Sequence, residues 1–281
     1  MTGTTPLPHT GELPGNPARP SEDRIVILPN AVIVLDGVST LHDGQPRGGW
    51  YAAELGVRIA DQLTKEPDGD LRELLEKAIT DMVRDHSLVA GASPAATVSI
   101  VRRLADRLDA LVLGDSPIVR IGPDTAVEVL RDDRLAHLVE VQPAAGEYRR
   151  LLRAGHGFGE EHRELLRTLR AVQDRHVNNG SQRGYWIAEA VPQAARHAVL
   201  ASWLLAECAE VLVMTDGVSC AVEECELYSW LEMARECRTA GPQAVVEAVS
   251  RAEEHDPDAQ MWPRYKPSDD KALVWWPLAG F

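Results

Sequence analysis

No stretch of this chain approaches 18 consecutive apolar residues, so no transmembrane helix is expected. Cysteine is sparse: Cys208, Cys220, Cys225 and Cys237 are the four present. No pair follows the C-x-x-C spacing and no histidine pair completes a zinc pattern, which argues against a structural zinc site and for reduced thiols in the cytoplasm. Positive charge is also short, with 29 Lys and Arg against 43 Asp and Glu and a formal net charge of -14. A surface of that sign repels polyphosphate backbones, so nucleic-acid binding is not expected. The first residues lack the basic start and apolar core of a secretory signal. Met1 to Pro20 is instead rich in Pro, Gly and Thr and reads as a flexible N-terminal tail, leaving residues 21–281 as a single domain.

What is present is a set of short apolar runs. Arg24 to Leu28 and Ala31 to Leu35, broken by Pro29-Asn30, have the signature of a hairpin. Trp50 to Leu63 and Asp70 to Ser87 carry apolar residues at helical spacing, with Asp70 a plausible N-cap. Ala96 to Val101, Leu108 to Leu113, Pro117 to Ile121 and Ala126 to Leu130 are short runs separated by turn residues, which suggests an antiparallel meander. Charged helices are expected over Ala144 to Ala154 and Glu160 to Arg175. A short strand is expected at Tyr185 to Ala188, a helix from Pro192 to Ala198, and late helices over Glu226 to Arg238 and Pro242 to His255. Trp275 and Trp276 read as space-filling residues at the end of the last strand, and Trp186 as core packing. Strands and helices are segregated rather than alternating, which is an α+β order.

Three aspartates border apolar runs. Ala31 to Leu35 ends in Asp36-Gly37, Val211 to Thr215 ends in Asp216-Gly217, and Asp269-Asp270 opens Lys271 to Trp276. A carboxylate at the end of a buried strand is rigidly held at the rim of a sheet, and three of them suit a hard divalent cation such as Mg²⁺ or Mn²⁺. Leu35 to Thr40 also invites comparison with a phosphoaspartate phosphatase. That chemistry needs a second aspartate two residues after the nucleophile, where this chain has Val38.

The ordered motifs resemble the metal-dependent Ser/Thr protein phosphatases of the protein phosphatase 2C type. They are Glu22-Asp23 before the first long strand, Asp36-Gly37, glycines displaced to Gly48-Gly49, the small-residue stretch Ala92 to Thr97, Gly114-Asp115-Ser116, Thr215-Asp216-Gly217 and Asp269-Asp270. The resemblance implies a four-layer αββα sandwich of two antiparallel β-sheets flanked by helices. It implies two Mg²⁺ or Mn²⁺ ions, with Asp36 bridging them, Asp216 and Asp269 on one, and the Gly37 carbonyl on the other. Glu22 and Asp23 would act through metal-bound waters, and the substrate would be a phosphorylated protein. Arg19 is the first choice for the substrate phosphate, with Arg24 and Arg47 as alternatives. Asp115 would serve an additional metal, but its usual partner position is Cys220, a soft donor poorly matched to Mg²⁺. Glu223 or Glu224 could rebuild that site. The histidine that some members carry after the first aspartate is Val38 here, with His42 nearby. A catalytically weak, phosphatase-like regulatory or phospho-partner-binding protein is the alternative that these departures leave open. Oligomeric state is not readable.

Overall fold

The computed structural model describes residues 6–38 and 47–278, with Arg47 described by its backbone alone. Among the described residues, ten strands form two antiparallel five-stranded sheets. One has the order β1-β10-β9-β6-β7, from His9–Leu13 (β1), Lys271–Pro277 (β10), Glu210–Met214 (β9), Ile118–Ile121 (β6) and Val127–Leu130 (β7). The other has the order β2-β3-β4-β5-β8, from Arg24–Leu28 (β2), Ala31–Leu35 (β3), Val98–Arg103 (β4), Arg107–Leu113 (β5) and Val199–Leu204 (β8).

Side-chain alternation explains why the central strands read as unbroken apolar runs. In β3, Val32 and Val34 face the opposite sheet, while Ala31, Ile33 and Leu35 face α1 (Arg47–Lys65) and α2 (Leu71–His86). In β9, Val211 and Val213 join the inter-sheet core, whereas Leu212 and Met214 pack toward α7 (Trp230–Ala240) and α8 (Pro242–His255). Strand β10 repeats the pattern, with Ala272, Val274 and Trp276 inward and Leu273 and Trp275 outward. A strand covered on both faces has no polar position to spare. The result is the expected helix–sheet–sheet–helix sandwich. Helices α3 (Arg134–Glu140), α4 (Pro143–Arg153) and α5 (Glu160–His176) build a smaller satellite core around Tyr148, Leu152 and Leu169.

Several local expectations hold. Asp70 caps α2, its carboxylate accepting from the Arg72 and Glu73 amides at 2.8 and 3.1 Å. Trp276 is buried between the sheets, Trp275 donates to Glu210 Oε2 at 2.7 Å, and Trp186 stacks on His197 at 3.6 Å. Others need correction. The flexible tail assigned to residues 1–20 contains β1, paired in register with β10 from His9 opposite Trp275 to Leu13 opposite Lys271. An edge strand draws its stability from backbone hydrogen bonds, so a Pro- and Gly-rich composition does not forbid it. The meander is also split: β4 pairs with β5 and β6 with β7, but the turn at Gly114–Pro117 carries the chain from one sheet to the other. Residues 192–197 form a 3₁₀ turn, Tyr185 and Ala188 make only isolated bridges, and β8 and α3 carry no sequence expectation.

Candidate active site

The aspartates sit where strands end at one rim of the sandwich. Asp36 follows β3, Asp216 opens α6 (Asp216–Glu223) after β9, and Asp269 lies two residues before β10. Each acts electrostatically on its neighbours. Asp36 is held well above the usual carboxylate range by burial and then by the charges of Asp23, Asp216 and Asp269. Asp216 is raised by burial, Asp269, Asp115 and Asp23. Asp23 is pushed up to about 7, chiefly by burial, with its hydrogen bond to Thr215 working in the opposite direction. Asp115 rises to about 6, again chiefly by burial, with Asp132, Asp269 and Glu223 adding repulsion. Crowded carboxylates that favour protonation are what an acidic centre looks like before a cation compensates it.

Backbone and hydroxyl groups hold this cluster in place. The Thr215 hydroxyl donates to Asp23 Oδ2 at 2.7 Å and accepts from the Ala272 amide at 3.1 Å, tying β9, β10 and the acidic pair together. Asp36 is gripped at both ends by Thr97: its amide donates to Thr97 Oγ1 at 3.1 Å and its carbonyl accepts from the Thr97 amide at 2.9 Å. Thr97 in turn shares a 2.6 Å hydroxyl contact with Ser116. Asp270 accepts from the amides of Gly15 and Glu22 at 2.8 and 2.7 Å. Gly15, expected to lie in the tail, and Glu22, expected in the site, are thereby both stapled to the turn before the last strand.

The displaced glycines have a steric explanation. A Cβ on Gly37 would stand 2.4 Å from the Gly48 carbonyl carbon, and one on Gly48 would stand 2.7 Å from the Gly37 carbonyl carbon. The start of α1 therefore crosses directly over Asp36-Gly37, an approach that only glycines on both sides permit. Glu22 Oε1 accepts from the Gly49 amide at 3.3 Å. On the opposite side, a Cβ on Gly217 would fall 2.0 Å from the Asp270 carbonyl oxygen.

Lysine and glutamate supply positioning that the sequence reading missed. Lys271, 1% exposed, donates to Glu253 at 2.6 Å, to the Asp269 carbonyl at 2.7 Å and to Ser268 at 3.2 Å. The pair locks the turn carrying Asp269 to α8. Its only sequence signal is a lysine at the head of an apolar strand. Lys266 reaches the same turn from the solvent side, its ammonium on the Asp269 carboxylate.

Other expected residues fall less centrally. Arg19 is exposed, next to the acidic segment. Arg24 turns back on its own loop and donates to the Ser21 and Asp23 carbonyls at 2.5 and 2.6 Å, which commits it to structure. His42 and the side chain of Arg47 lie outside the described residues. Glu223 is engaged by Arg131 at 3.1 Å and Ser219 at 3.1 Å. The Cys220 thiol donates to the Gly217 carbonyl at 3.5 Å.

Hard carboxylate oxygens in a half-buried cluster fit a divalent cation in kind. In spacing the fit is incomplete: among the described residues, no three His, Cys, Asp or Glu side chains are gathered as a ready metal-binding group. Beside the cluster opens a cavity of about 450 Å³, lined by Asp115, Asp216, Asp269, Arg149, Arg131 and Lys266 among others.

A sandwich of two antiparallel sheets with an acidic rim and an adjoining cleft defines the class. The family model of protein phosphatase 2C matches residues 20–250, and the chain belongs to that family. The match stops short of Asp269. A sequence search of curated proteins found no match. Solved structures share the fold, among them three bacterial phosphatases. MsPP, a PPM Ser-Thr phosphatase from Mycobacterium smegmatis, is 17% identical, with 99% of this chain and 100% of that one covered and a TM-score of 0.55. PstP/Ppp, a serine/threonine phosphatase from Mycobacterium tuberculosis, is 14% identical, with 98% and 100% covered and a TM-score of 0.57. Stp1, a serine/threonine phosphatase from Staphylococcus aureus, is 12% identical, with 99% and 97% covered and a TM-score of 0.57.

Proposed function

We propose that this chain hydrolyses phosphomonoesters, with phosphoserine and phosphothreonine in proteins as substrates, and that it depends on Mg²⁺ or Mn²⁺. The observation that carries the reading is the convergence of Asp36, Asp216 and Asp269, from three distant segments, on one rim of a protein phosphatase 2C fold. The ions would be held by those three carboxylates and the Gly37 carbonyl, with Glu22 and Asp23 behind them and Asp115 toward an additional position. The structure of PstP with two manganese ions supports this choice of metal. When bound, such ions lower the pKa of water and neutralise phosphoryl charge.

The protein's own groups supply the rest. Burial of Asp23, 3% exposed, keeps bulk water from screening its charge, and the repulsion it shares with Asp36 gives the site high demand for a cation. Thr215, Thr97 and the Lys271–Glu253 pair fix the carboxylates so that little reorganisation is needed on binding. The cleft of about 450 Å³ is large enough for a phosphorylated side chain and its flanking backbone. Arg19, exposed where Arg24 is committed, is the guanidinium for the substrate phosphate. The four cysteines are free, in keeping with a reducing cytoplasm, and no described helix is long and apolar enough to cross a membrane.

The incomplete gathering of ligands favours one second reading, a catalytically weak member that binds phosphorylated partners. Hydrolysis of an aryl phosphate with and without Mn²⁺ separates the two. The expected result is Mn²⁺-dependent turnover that falls at least about 100-fold in Asp36→Asn and Asp216→Asn. Equal rates in all three proteins would overturn the hydrolase reading. Mn²⁺ binding without turnover on any phosphopeptide would establish the second.

A further inference from the structure

The acidic centre contains a cation of its own. Lys266 stands three residues before Asp269, and its ammonium is in contact with the Asp269 carboxylate. The same ammonium acts attractively on Asp216 and on Asp36. Among the described residues it is the basic group that acts most strongly on those two aspartates. Its reach is fixed by the chain: Pro267 follows it, and Ser268 and the Asp269 carbonyl are both held by Lys271. The turn therefore cannot slide to release the contact. The side chain is 46% exposed, so it enters from the cleft and can also leave by it.

We propose that Lys266 is a tethered monocation that competes with a divalent ion for Asp269. This inference rests on the reading of the centre as a metal site. With no divalent ion, the ammonium offsets part of the repulsion among Asp36, Asp216 and Asp269 and stabilises the fold. When a divalent ion takes Asp269, the ammonium must withdraw into the cleft, because two cations cannot share one carboxylate without mutual repulsion. The withdrawn ammonium then lies on the wall that a phosphoryl group would face.

The test compares wild type, Lys266→Met and Lys77→Met. Lys77 is a control whose exposed ion pair with Glu66 lies on another face, on α2. Two measurements are made on each protein: thermal unfolding in chelator, and calorimetric titration with Mn²⁺ alone. The expected result for Lys266→Met is a lower Tm in chelator together with a Kd for Mn²⁺ at least tenfold lower, while Lys77→Met matches wild type in both. An unchanged Kd with Mn²⁺ bound to wild type and Lys266→Met alike overturns the competition and leaves the hydrolase reading standing. Mn²⁺ binding to neither overturns both. A Tm in chelator that is equal or higher in Lys266→Met overturns the stabilising role of the ammonium.

Discussion

Gly217→Ala is the sharpest test of how the site is built. The added Cβ would lie 2.0 Å from the Asp270 carbonyl oxygen and 3.1 Å from the Asp269 Cβ. Ordinary contact begins near 3.4 Å, so the start of α6 and the turn before β10 must separate by about 1.4 Å. The carbonyl oxygen belongs to backbone, so no rotamer change relieves the overlap. The turn is further pinned by Lys271 and by the two amides on Asp270. Overpacking of this kind costs about 1–3 kcal/mol. The larger effect falls on the site, because Asp216 and Asp269 lie on opposite sides of the forced gap. Cation coordination by oxygen tolerates a few tenths of an ångström, and misplacement by about 1 Å lowers a rate about 100-fold. The assay is kcat/KM on an aryl phosphate at saturating Mn²⁺, with Tm measured in parallel. Gly146→Ala is the control, since nothing lies within 4 Å of the Cβ it would add in α4. It should be neutral or stabilise by about 0.5–1 kcal/mol. Activity of Gly217→Ala within twofold of wild type at unchanged Tm would refute the close-packed arrangement of α6 and the Asp269 turn.

Lys271→Met leaves the Glu253 carboxylate, 8% exposed, without its ammonium and frees the Asp269 carbonyl. The expected loss is about 3–5 kcal/mol in urea denaturation, and a loss below about 1 kcal/mol would contradict a structural role for the pair. A pH dependence follows from Asp23, 3% exposed, whose folded-state value is raised from 3.8 to about 7. The folded protein then binds the proton more tightly than the unfolded chain. Stability from this group is complete below about pH 4 and is lost as pH rises toward 7, by roughly 1–4 kcal/mol. In chelator, Tm should therefore fall between pH 5 and pH 8, and Mn²⁺ should restore more of it at pH 8. A metal-free Tm that climbs over this interval would contradict the assignment.

Much of the architecture was legible because it depends on local patterns. Ala31 to Leu35 and Val211 to Met214 are apolar at every position because both faces of β3 and β9 are covered. Asp70 caps α2 through geometry that spans three residues. Asp36, Asp216 and Asp269 were expected to border strands because each adjoins an apolar run, and they do border β3, β9 and β10. Strands β1 and β8 escaped notice because each lies at a sheet edge, where backbone pairing with one neighbour suffices and the side chains need no apolar pattern. The glycines at 48 and 49 looked misplaced in one dimension, yet they lie directly over Gly37 in three.

The amino-acid sequence by itself therefore determined which segments are strands of a covered core and which carboxylates close those strands, since periodicity and strand-end chemistry act over a few residues. Only the tertiary structure decided that Gly114–Pro117 crosses between sheets, that Asp270 staples residues 15 and 22, and that two lysines five residues apart play unlike parts. Lys271 is sealed inside against Glu253, while Lys266 reaches the acidic centre from solvent. Those outcomes depend on contacts between residues as many as 255 positions apart. The energy of such contacts is set by burial and proximity, which exist only once the two sheets have closed on each other.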